Sequence, residues 1–171
     1  MIDFETKKVL FIDLDGTLIK TISGKTFPED ITDFRIQLSV LNKIIEKLPN
    51  IKRFCIVTNQ GGLKSVTAEW EFKAKLHAIE DICCNYLANR LTNFLDSDAE
   101  YCPSMDKANP YRKPHTGMLQ LMCSVWGVQN KQEMLMIGDA SGKPGDFSDS
   151  DKECAENFGI DYIDVRDFLE L

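Results

Sequence analysis

Two aspartates separated by a single residue follow the first apolar run of the chain. Their type and spacing suit metal binding and catalysis. The run covers residues 9–12, and Asp13 and Asp15 stand directly after it. Because strand side chains two positions apart point the same way, both carboxylates can leave the strand on one side. Such a pair can hold Mg²⁺, which prefers hard oxygen ligands. One carboxylate can then act as a nucleophile while the other moves protons.

Gly16 stands where this predicted strand ends, and it lets the backbone turn sharply. An Asp-Gly pair can also close a β-hairpin, which is the structural alternative at this position. The residues that follow do not repeat the alternation of a matching strand, so the pattern favours a catalytic loop over a hairpin turn.

Two later positions carry polar groups that could bind a phosphate. Thr58 and Asn59 follow the apolar run 54–57 and precede two glycines, which suits a phosphate seat at the end of a strand. An ordinary turn is the alternative there. Lys113 precedes Pro114 at the start of a predicted helix, where its ammonium group could stabilise a transferring phosphoryl group. A Lys-Pro pair is weak support by itself, and its place in this series strengthens it.

A third carboxylate at a strand end comes from Asp139, which follows the apolar run 134–137 and Gly138. An acid-rich stretch lies beyond it. Any of its aspartates could orient the water ligands of a metal ion, or one could cap the helix that follows. The candidates are Asp146, Asp149 and Asp151. The pattern does not decide among them.

The segment 19–33 contains the glycine and proline that mark a loop or a small hairpin. As a flap beside the carboxylates, it could place Lys25 on a phosphate, and a solvated loop lysine is the alternative. Gly24-Lys25-Thr26 does not complete a nucleotide-binding P-loop, because Ile19 occupies the position of that motif's first glycine.

The elements that must position these groups alternate between strand and helix patterns. Predicted strands cover residues 9–12, 54–57, 99–102, 134–137 and 161–165, and predicted helices cover 36–48, 67–93, 115–126 and 152–158. This alternation predicts an α/β fold. Residues 18–57 and 59–112 are accounted for by the flap, helices, a short strand and loops. We therefore expect no separate cap domain and an open site.

Length and composition fit one domain over residues 1–171. The apolar fraction of 43% and the charged fraction of 27% are ordinary for a globular protein. The formal net charge of −7 argues against a broad basic surface that grips duplex DNA, and it leaves room for a local basic patch.

Two further expectations concern the membrane and the cysteines. The sequence has no apolar run of membrane-spanning length and no basic, apolar leader at its start, so we expect a cytoplasmic protein without a membrane partner. The cysteines form neither a CxxC pair nor a Cys/His zinc pattern, so we expect reduced core residues and no structural zinc. They are Cys55, Cys83, Cys84, Cys102, Cys123 and Cys154.

Taken in order, the strand-end motifs resemble those of the haloacid dehalogenase superfamily of phosphatases. The motifs are Asp13-x-Asp15-Gly16-Thr17, Thr58, Lys113-Pro114 and Gly138-Asp139. The resemblance implies a nucleophile, an acid/base, a phosphate-binding hydroxyl, a phosphate-clamping lysine and a metal-binding acid, which are Asp13, Asp15, Thr58, Lys113 and Asp139 respectively. It also implies a three-layer α/β/α Rossmann-like fold with a mainly parallel central sheet.

The resemblance further implies a cofactor and a reaction. Mg²⁺ would be held by the Asp13 carboxylate, the Asp15 main-chain carbonyl and the Asp139 carboxylate. The reaction would be the hydrolysis of a phosphomonoester through an aspartyl-phosphate intermediate.

Within the superfamily, the finer resemblance is to the polynucleotide 3′-phosphatase domain of polynucleotide kinase/phosphatases. It is carried by residues 23–28, 33–35, 58–60, 72–75, 111–118, 138–143 and 146–151. It implies a substrate that ends in a nucleic-acid 3′-phosphate, with any kinase activity supplied by a separate partner. The expected substrate-binding residues are Gly16, Thr17, Lys25, Asn59 and Arg112.

Two other functions stay open. A small-molecule phosphatase of the same superfamily, acting on a sugar bisphosphate or histidinol phosphate, would share the chemistry. Many of those enzymes carry a Cys/His zinc loop before the clamping lysine, whereas here Cys102 stands there without a nearby histidine. A non-catalytic phosphate-binding domain is the other alternative, although every motif position holds a competent residue.

Overall fold

Five parallel strands form the central sheet of the computed structural model, which describes residues 2–25 and 28–171. In chain order the strands are β1 (Val9–Ile12), β2 (Ile19–Lys20), β3 (Arg35–Ile36), β4 (Arg53–Asn59), β5 (Asp96–Cys102), β6 (Met134–Gly138) and β7 (Asp161–Asp164). The central sheet has the order β5-β4-β1-β6-β7. The short strands β2 and β3 pair with each other in antiparallel fashion outside it.

Helices connect the parallel strands. They are α1 (Leu38–Lys47), α2 (Val66–Ala88), α3 (Gly117–Trp126), α4 (Ser150–Phe158) and α5 (Val165–Leu169). Single 3₁₀ turns cover Phe4–Thr6 and Lys131–Glu133. None of the helices in the described ranges is long and apolar enough to cross a membrane.

The two faces of the sheet pack against different helices. Leu10 and Ile12 belong to a core that includes buried residues of α1, α2 and α5. Val9 and Phe11 point to the other face and belong to a core formed with α3 and α4. This alternation along β1 follows from the two-residue period of a strand. The predicted three-layer α/β/α architecture with a parallel sheet is confirmed.

Several element boundaries differ from the sequence-based prediction. β5 begins at Asp96 rather than at residue 99, because main-chain pairing with β4 extends over three polar residues that carry no apolar signal. α2 ends at Ala88 rather than at residue 93. α4 begins at Ser150, two residues before the predicted start. These differences leave the order of the elements unchanged.

The predicted flap is the connection between β2 and β3, and we use the name flap for residues 21–34. The antiparallel pairing of Ile19 with Ile36 closes its base, which confirms the small hairpin. Inside the flap, the Asp33 carboxylate accepts hydrogen bonds from the Ser23 hydroxyl and from the main-chain N–H groups of Ser23 and Glu29. Thr26 and Phe27, which contribute to the sequence resemblance, lie outside the described residues.

All six cysteines are free thiols. Cys55, Cys83, Cys102 and Cys154 are buried, and the other two are half-buried. Burial raises the pKa of the Cys83 and Cys154 thiols to about 12, so these groups stay protonated and pack as small apolar side chains.

Candidate active site

The carboxyl ends of neighbouring parallel strands meet at one edge of the sheet, and the predicted catalytic residues gather there. Asp13 follows β1, Thr58 lies near the end of β4, and Asp139 follows β6. Lys113 reaches the same place from the loop before α3, and its Nζ lies 2.6 Å from Asp13 Oδ1. Such an edge, at the carboxyl ends of the strands, is where open α/β sheets bind their ligands.

Three carboxylates form a cluster at this edge. Asp13, Asp139 and Asp151 each offer an oxygen, and these oxygens all lie within 4.8 Å of one another. Asp13 and Asp151 are buried, and Asp139 is half-buried. In the described ranges, the Asp15 carboxylate is not a member of this cluster. A set of hard oxygen donors this close together fits a divalent cation such as Mg²⁺.

Two glycines make room for the cluster. A Cβ atom on Gly16 would lie 2.0 Å from Asp139 Oδ2, and Gly16 also has a φ of +85°, in the left-handed region. A Cβ atom on Gly138 would lie 2.3 Å from Asp151 Oδ2. Both positions therefore exclude any side chain, because two carboxylates approach the main chain there.

Lys113 is buried against the cluster and fully paired. Its Nζ lies 2.7 Å from Asp151 Oδ1 and donates a hydrogen bond of 2.7 Å to the Val57 main-chain oxygen, in addition to the contact with Asp13. Burial alone would lower the pKa of Lys113, but the carboxylates of Asp13 and Asp151 outweigh burial and raise it. The ammonium group is therefore charged.

The three carboxylates of the cluster carry more negative charge than the single lysine balances. Burial raises the pKa of Asp13 well above its usual range, and repulsion from Asp151 and Asp139 adds to this, while Lys113 opposes it. Burial and then Asp151 raise the pKa of Asp139 to about 6. A bound divalent cation would reverse both shifts. The excess negative charge is the second observation that fits a metal ion.

Asn59 holds the main chain of Lys113. Its Oδ1 accepts a hydrogen bond of 2.9 Å from the Lys113 N–H, and its Nδ2 donates one of 2.9 Å to the Lys113 carbonyl. This pair of bonds connects the end of β4 to the loop that carries the clamping lysine. The positioning role was missed from the sequence, and the predicted contact between Asn59 and substrate stays a prediction.

Gln60 holds Asp15. Its Nε2 donates hydrogen bonds to Asp15 Oδ2 at 2.6 Å and to Thr58 Oγ1 at 2.9 Å. The amide therefore connects two residues that were predicted to be catalytic. It fixes the direction of the Asp15 carboxylate without placing a positive charge on it.

Three of the predicted substrate-binding side chains do not contact the carboxylate cluster within the described structure. Lys25 forms an ion pair with Glu29 in the exposed flap. Arg112 donates a hydrogen bond of 2.8 Å from its guanidinium to the Ser104 carbonyl. Thr17 is enclosed, and its Oγ1 has no hydrogen-bond partner in the described part of the chain. Their contacts with substrate stay predictions.

The structure distinguishes the three aspartates that the sequence left open. Asp151 joins the cluster and accepts a hydrogen bond of 3.1 Å from the Ala140 N–H. Asp146 instead organises its own loop, where it accepts bonds from Ser141 and forms an ion pair with Arg166. Asp149 occupies the residue before α4.

Comparison with known proteins gives the following similarities. The sequence model of a family described as polynucleotide kinase 3 phosphatase matches residues 8–168. A bifunctional polynucleotide phosphatase/kinase from Schizosaccharomyces pombe is 32% identical over 168 residues, which cover 96% of this chain and 38% of that protein. The histidine biosynthesis bifunctional protein HisB from Legionella pneumophila is 27% identical over 170 residues, covering 93% of this chain and 41% of that protein.

A solved structure shows the same fold. A D,D-heptose bisphosphate phosphatase from B. bronchiseptica, complexed with magnesium and phosphate, superposes with a TM-score of 0.57 at 21% sequence identity. The match covers 95% of this chain and 96% of that one. At this identity the similarity establishes the α/β architecture. The chain spans less than half the length of the two relatives named above.

Proposed function

This chain belongs to the polynucleotide kinase 3 phosphatase family, and we propose that it removes phosphate from the 3′ ends of nucleic acids. The observation that carries the proposal is the contact of Asp13 with Lys113 beside Asp139 and Asp151, at the carboxyl edge of the sheet. This arrangement offers a nucleophile, a phosphate clamp and a metal seat within one cluster.

The proposed reaction has two steps. A carboxylate oxygen of Asp13 attacks phosphorus, the bond from phosphorus to the leaving oxygen breaks, and Asp15 gives its proton to that oxygen. The product is an aspartyl-phosphate and a free alcohol. Asp15 then takes a proton from water, whose oxygen attacks phosphorus. The bond between the Asp13 oxygen and phosphorus breaks, which regenerates the Asp13 carboxylate and releases inorganic phosphate. Each proton that Asp15 gives in the first step returns to it in the second.

The other residues of the site position the reacting groups and stabilise the negative charge on the phosphoryl oxygens. Lys113 and the Thr58 hydroxyl would hold phosphoryl oxygens, and Gln60 keeps Asp15 directed at the leaving group. Mg²⁺, held by Asp13, Asp139 and the Asp15 main-chain carbonyl, would offset negative charge on the phosphoryl oxygens. Asp151 forms an ion pair with the Lys113 side chain, while Asn59 holds the Lys113 main chain, and Asp151 also adds charge to the metal seat.

Two observations support a nucleic-acid end as the substrate. The S. pombe relative is a polynucleotide phosphatase/kinase, although this chain corresponds to 38% of its length. The segments between the motifs fold as the flap, α1, α2 and β5, which supports an uncapped site that a polymer end could enter.

The second candidate is a small-molecule phosphatase, which the 27% identity with HisB supports. Phosphate release with Mg²⁺ separates the two. A 3′-phosphorylated oligonucleotide should be hydrolysed at least tenfold faster, in kcat/KM, than histidinol phosphate or a heptose bisphosphate. The reverse order would overturn the substrate proposal and leave the phosphatase chemistry standing.

A non-catalytic phosphate-binding domain is tested with the same assay. Asp13→Asn keeps the size of the side chain and removes the nucleophile, so an enzyme loses phosphate release while a binding module keeps its ligand affinity. Asp149→Asn is a matched control, because Asp149 lies outside the carboxylate cluster.

A further inference from the structure

Helix α2 carries a lysine on its inward face. Lys75 lies among the buried residues Phe72, Leu76 and Ile79, at the spacing of a core-facing helical stripe. Only 8% of the residue is exposed. Burial lowers the pKa of Lys75, so this position costs the folded protein stability unless an anion compensates it.

Comparison with the other two lysines that are buried in the described chain shows what Lys75 lacks. Lys7 forms an ion pair with Asp161 and donates a hydrogen bond of 2.6 Å to the Gln132 carbonyl. Lys113 has two carboxylates and a carbonyl. Lys75 has neither an ion pair nor a hydrogen bond within the described residues, and its Nζ lies 4.8 Å from the centroid of the Phe34 ring. A cation–π contact alone compensates a buried charge poorly.

The carboxylates whose charge acts most strongly on Lys75 already accept hydrogen bonds from other residues. Asp15, Asp33 and Asp30 each act on its charge, but none is close enough for an ion pair. Asp15 is bound by Gln60, Asp33 by donors of the flap, and Asp30 by Thr32. Each of the three carboxylates that act on the charge of Lys75 is therefore held by another donor.

The tip of Lys75 remains open to solvent. In the described ranges, Thr17 Oγ1 is the only fully enclosed side-chain polar atom without a hydrogen-bond partner. Since Nζ of Lys75 also lacks such a partner, it keeps contact with solvent. The residue is buried in the core, and the ammonium group ends beside the ring of Phe34.

Lys75 and Lys113 serve different sides of the reaction. Lys113 contacts Asp13, the nucleophile. Lys75 ends at Phe34, two residues before Ile36, and Ile36 pairs with Ile19, which bridges to Asp15, the residue that protonates the leaving oxygen. In-line displacement places the leaving group opposite the nucleophile. A group on the Asp15 side therefore faces the alcohol portion of the substrate and not the scissile phosphate.

We propose that Lys75 binds the phosphodiester that precedes the terminal nucleoside of the substrate. This inference rests on the proposed function and extends it, since a nucleoside 3′-monophosphate has no such group and an oligonucleotide end always has one. The unpaired ammonium group and the ring of Phe34 form the anion subsite. The phosphodiester then supplies the counter-charge that the folded protein withholds from Lys75.

The test compares substrates and variants in steady-state phosphate release with Mg²⁺. The substrates are a 3′-phosphorylated oligothymidylate, the same chain with an uncharged methylphosphonate as its last internucleotide linkage, and thymidine 3′-monophosphate. The variants are Lys75→Met, which keeps the length and apolar stem, and Lys73→Met as the control. Lys73 lies on the same helix but is paired with Glu69 and has an exposed side chain.

For wild type, the methylphosphonate should lower kcat/KM roughly tenfold, the size of a lost charged contact. Lys75→Met should cause the same loss on the charged oligonucleotide and less than twofold loss on the other two substrates. The two changes should not add, because each removes the same contact. The plot of log kcat/KM against log salt should become shallower by about 0.7 for the single strand.

Several results would overturn the inference. Equal loss on all three substrates would mean that Lys75 acts on Asp15, and loss on none would mean that it binds no substrate anion. A marked fall in Tm for Lys75→Met would indicate a structural role, whereas we expect Tm to hold or rise when the buried charge is removed.

The failure of the proposed function would show differently. If wild type released no phosphate from any nucleic-acid substrate, the 3′-phosphatase proposal would fall. The subsite would then be tested by fluorescence anisotropy with the labelled charged and methylphosphonate oligonucleotides. Equal affinity of wild type for both would overturn the subsite as well.

Discussion

Lys113 and Lys75 are both buried near the catalytic aspartates, but their surroundings differ. Lys113 lies between Asp13 and Asp151, and its ammonium group also donates to the Val57 carbonyl. Its main chain is held by Asn59. Lys75 projects from the core-facing side of α2 and ends against an aromatic ring under the flap. Lys113 is paired by the fold, whereas Lys75 has no ion pair or hydrogen bond among the residues that the structure describes.

The difference indicates how the site divides its work. The strand-end region is assembled before substrate arrives, because Lys113 is paired with Asp13 and Asp151 within the protein and the glycines there make room for the carboxylates. Lys75, beside Phe34, has no counter-charge among the described residues, and an anion brought by the substrate would supply one. Preorganisation serves the reacting phosphoryl group, and the unpaired charge serves recognition.

Replacing Lys113 should give the largest effect and should contrast with Lys75→Met. Lys113→Met leaves Asp13 and Asp151 buried without their cation, so we expect about 3 kcal/mol of lost stability and a Tm lower by roughly 10 °C. It should also lower kcat by roughly 10³-fold through loss of the phosphate clamp. Thermal unfolding and phosphate release measure both. Equal Tm values for Lys113→Met and Lys75→Met would remove the distinction between the two lysines.

The metal seat gives a smaller effect, which depends on pH. The pKa of Asp139 is about 6 in the folded protein and about 3.9 when unfolded, so ionisation costs stability above pH 6, and the cost disappears as pH falls towards 4. Discounted for partial exposure, the cost is about 1 kcal/mol. Metal-free Asp139→Asn should therefore unfold about 3 °C above wild type at pH 7.

Mg²⁺ provides the corresponding control. It should raise the Tm of wild type and of Asp149→Asn, and it should leave Asp139→Asn nearly unchanged. An equal Mg²⁺ response in Asp139→Asn and wild type would show that the cation binds elsewhere. A metal-free Asp139→Asn protein less stable than wild type would contradict the charge excess in the cluster.

Removing the connection between Asn59 and Lys113 should have the smallest effect on catalysis. Asn59→Ala loses two main-chain hydrogen bonds, worth about 2 kcal/mol together, and lets the clamp move. We expect kcat to fall roughly tenfold with a smaller change in KM. Asn59→Asp keeps the acceptor for the Lys113 N–H and should lie between Asn59→Ala and wild type. A change confined to KM would indicate that Asn59 binds substrate.

The sequence predicted the parts of the site that lie at strand ends. An apolar run followed by a polar group is a local pattern, so Asp13, Thr58 and Asp139 could be found from it, and parallel pairing brings them to one edge. The choice of Asp151 over Asp146 could not be predicted, because it depends on where α4 begins. Ser150 starts the helix, and its first turn directs the next residue towards β6.

The residues that were missed act through partners far away in the sequence. Asn59 bonds to a main chain 54 positions later, and Gln60 bonds to Asp15, 45 positions earlier. Neither pairing leaves a local pattern. Lys75 did leave one, since a lysine within the apolar stripe of α2 breaks the polarity of its face. On the subsite proposal, this break in the apolar stripe is the sequence signal for Lys75.

The most direct test of the catalytic account is to capture the phosphoryl group on the protein. An oligonucleotide with a radioactive 3′-phosphate is mixed with wild type and Mg²⁺, and the reaction is quenched in acid during turnover. The protein is then digested, and the peptide that carries the label is identified. The account predicts label on the peptide that contains Asp13, and none with Asp13→Asn. Steady phosphate release without labelled protein, or label on another residue, would contradict it.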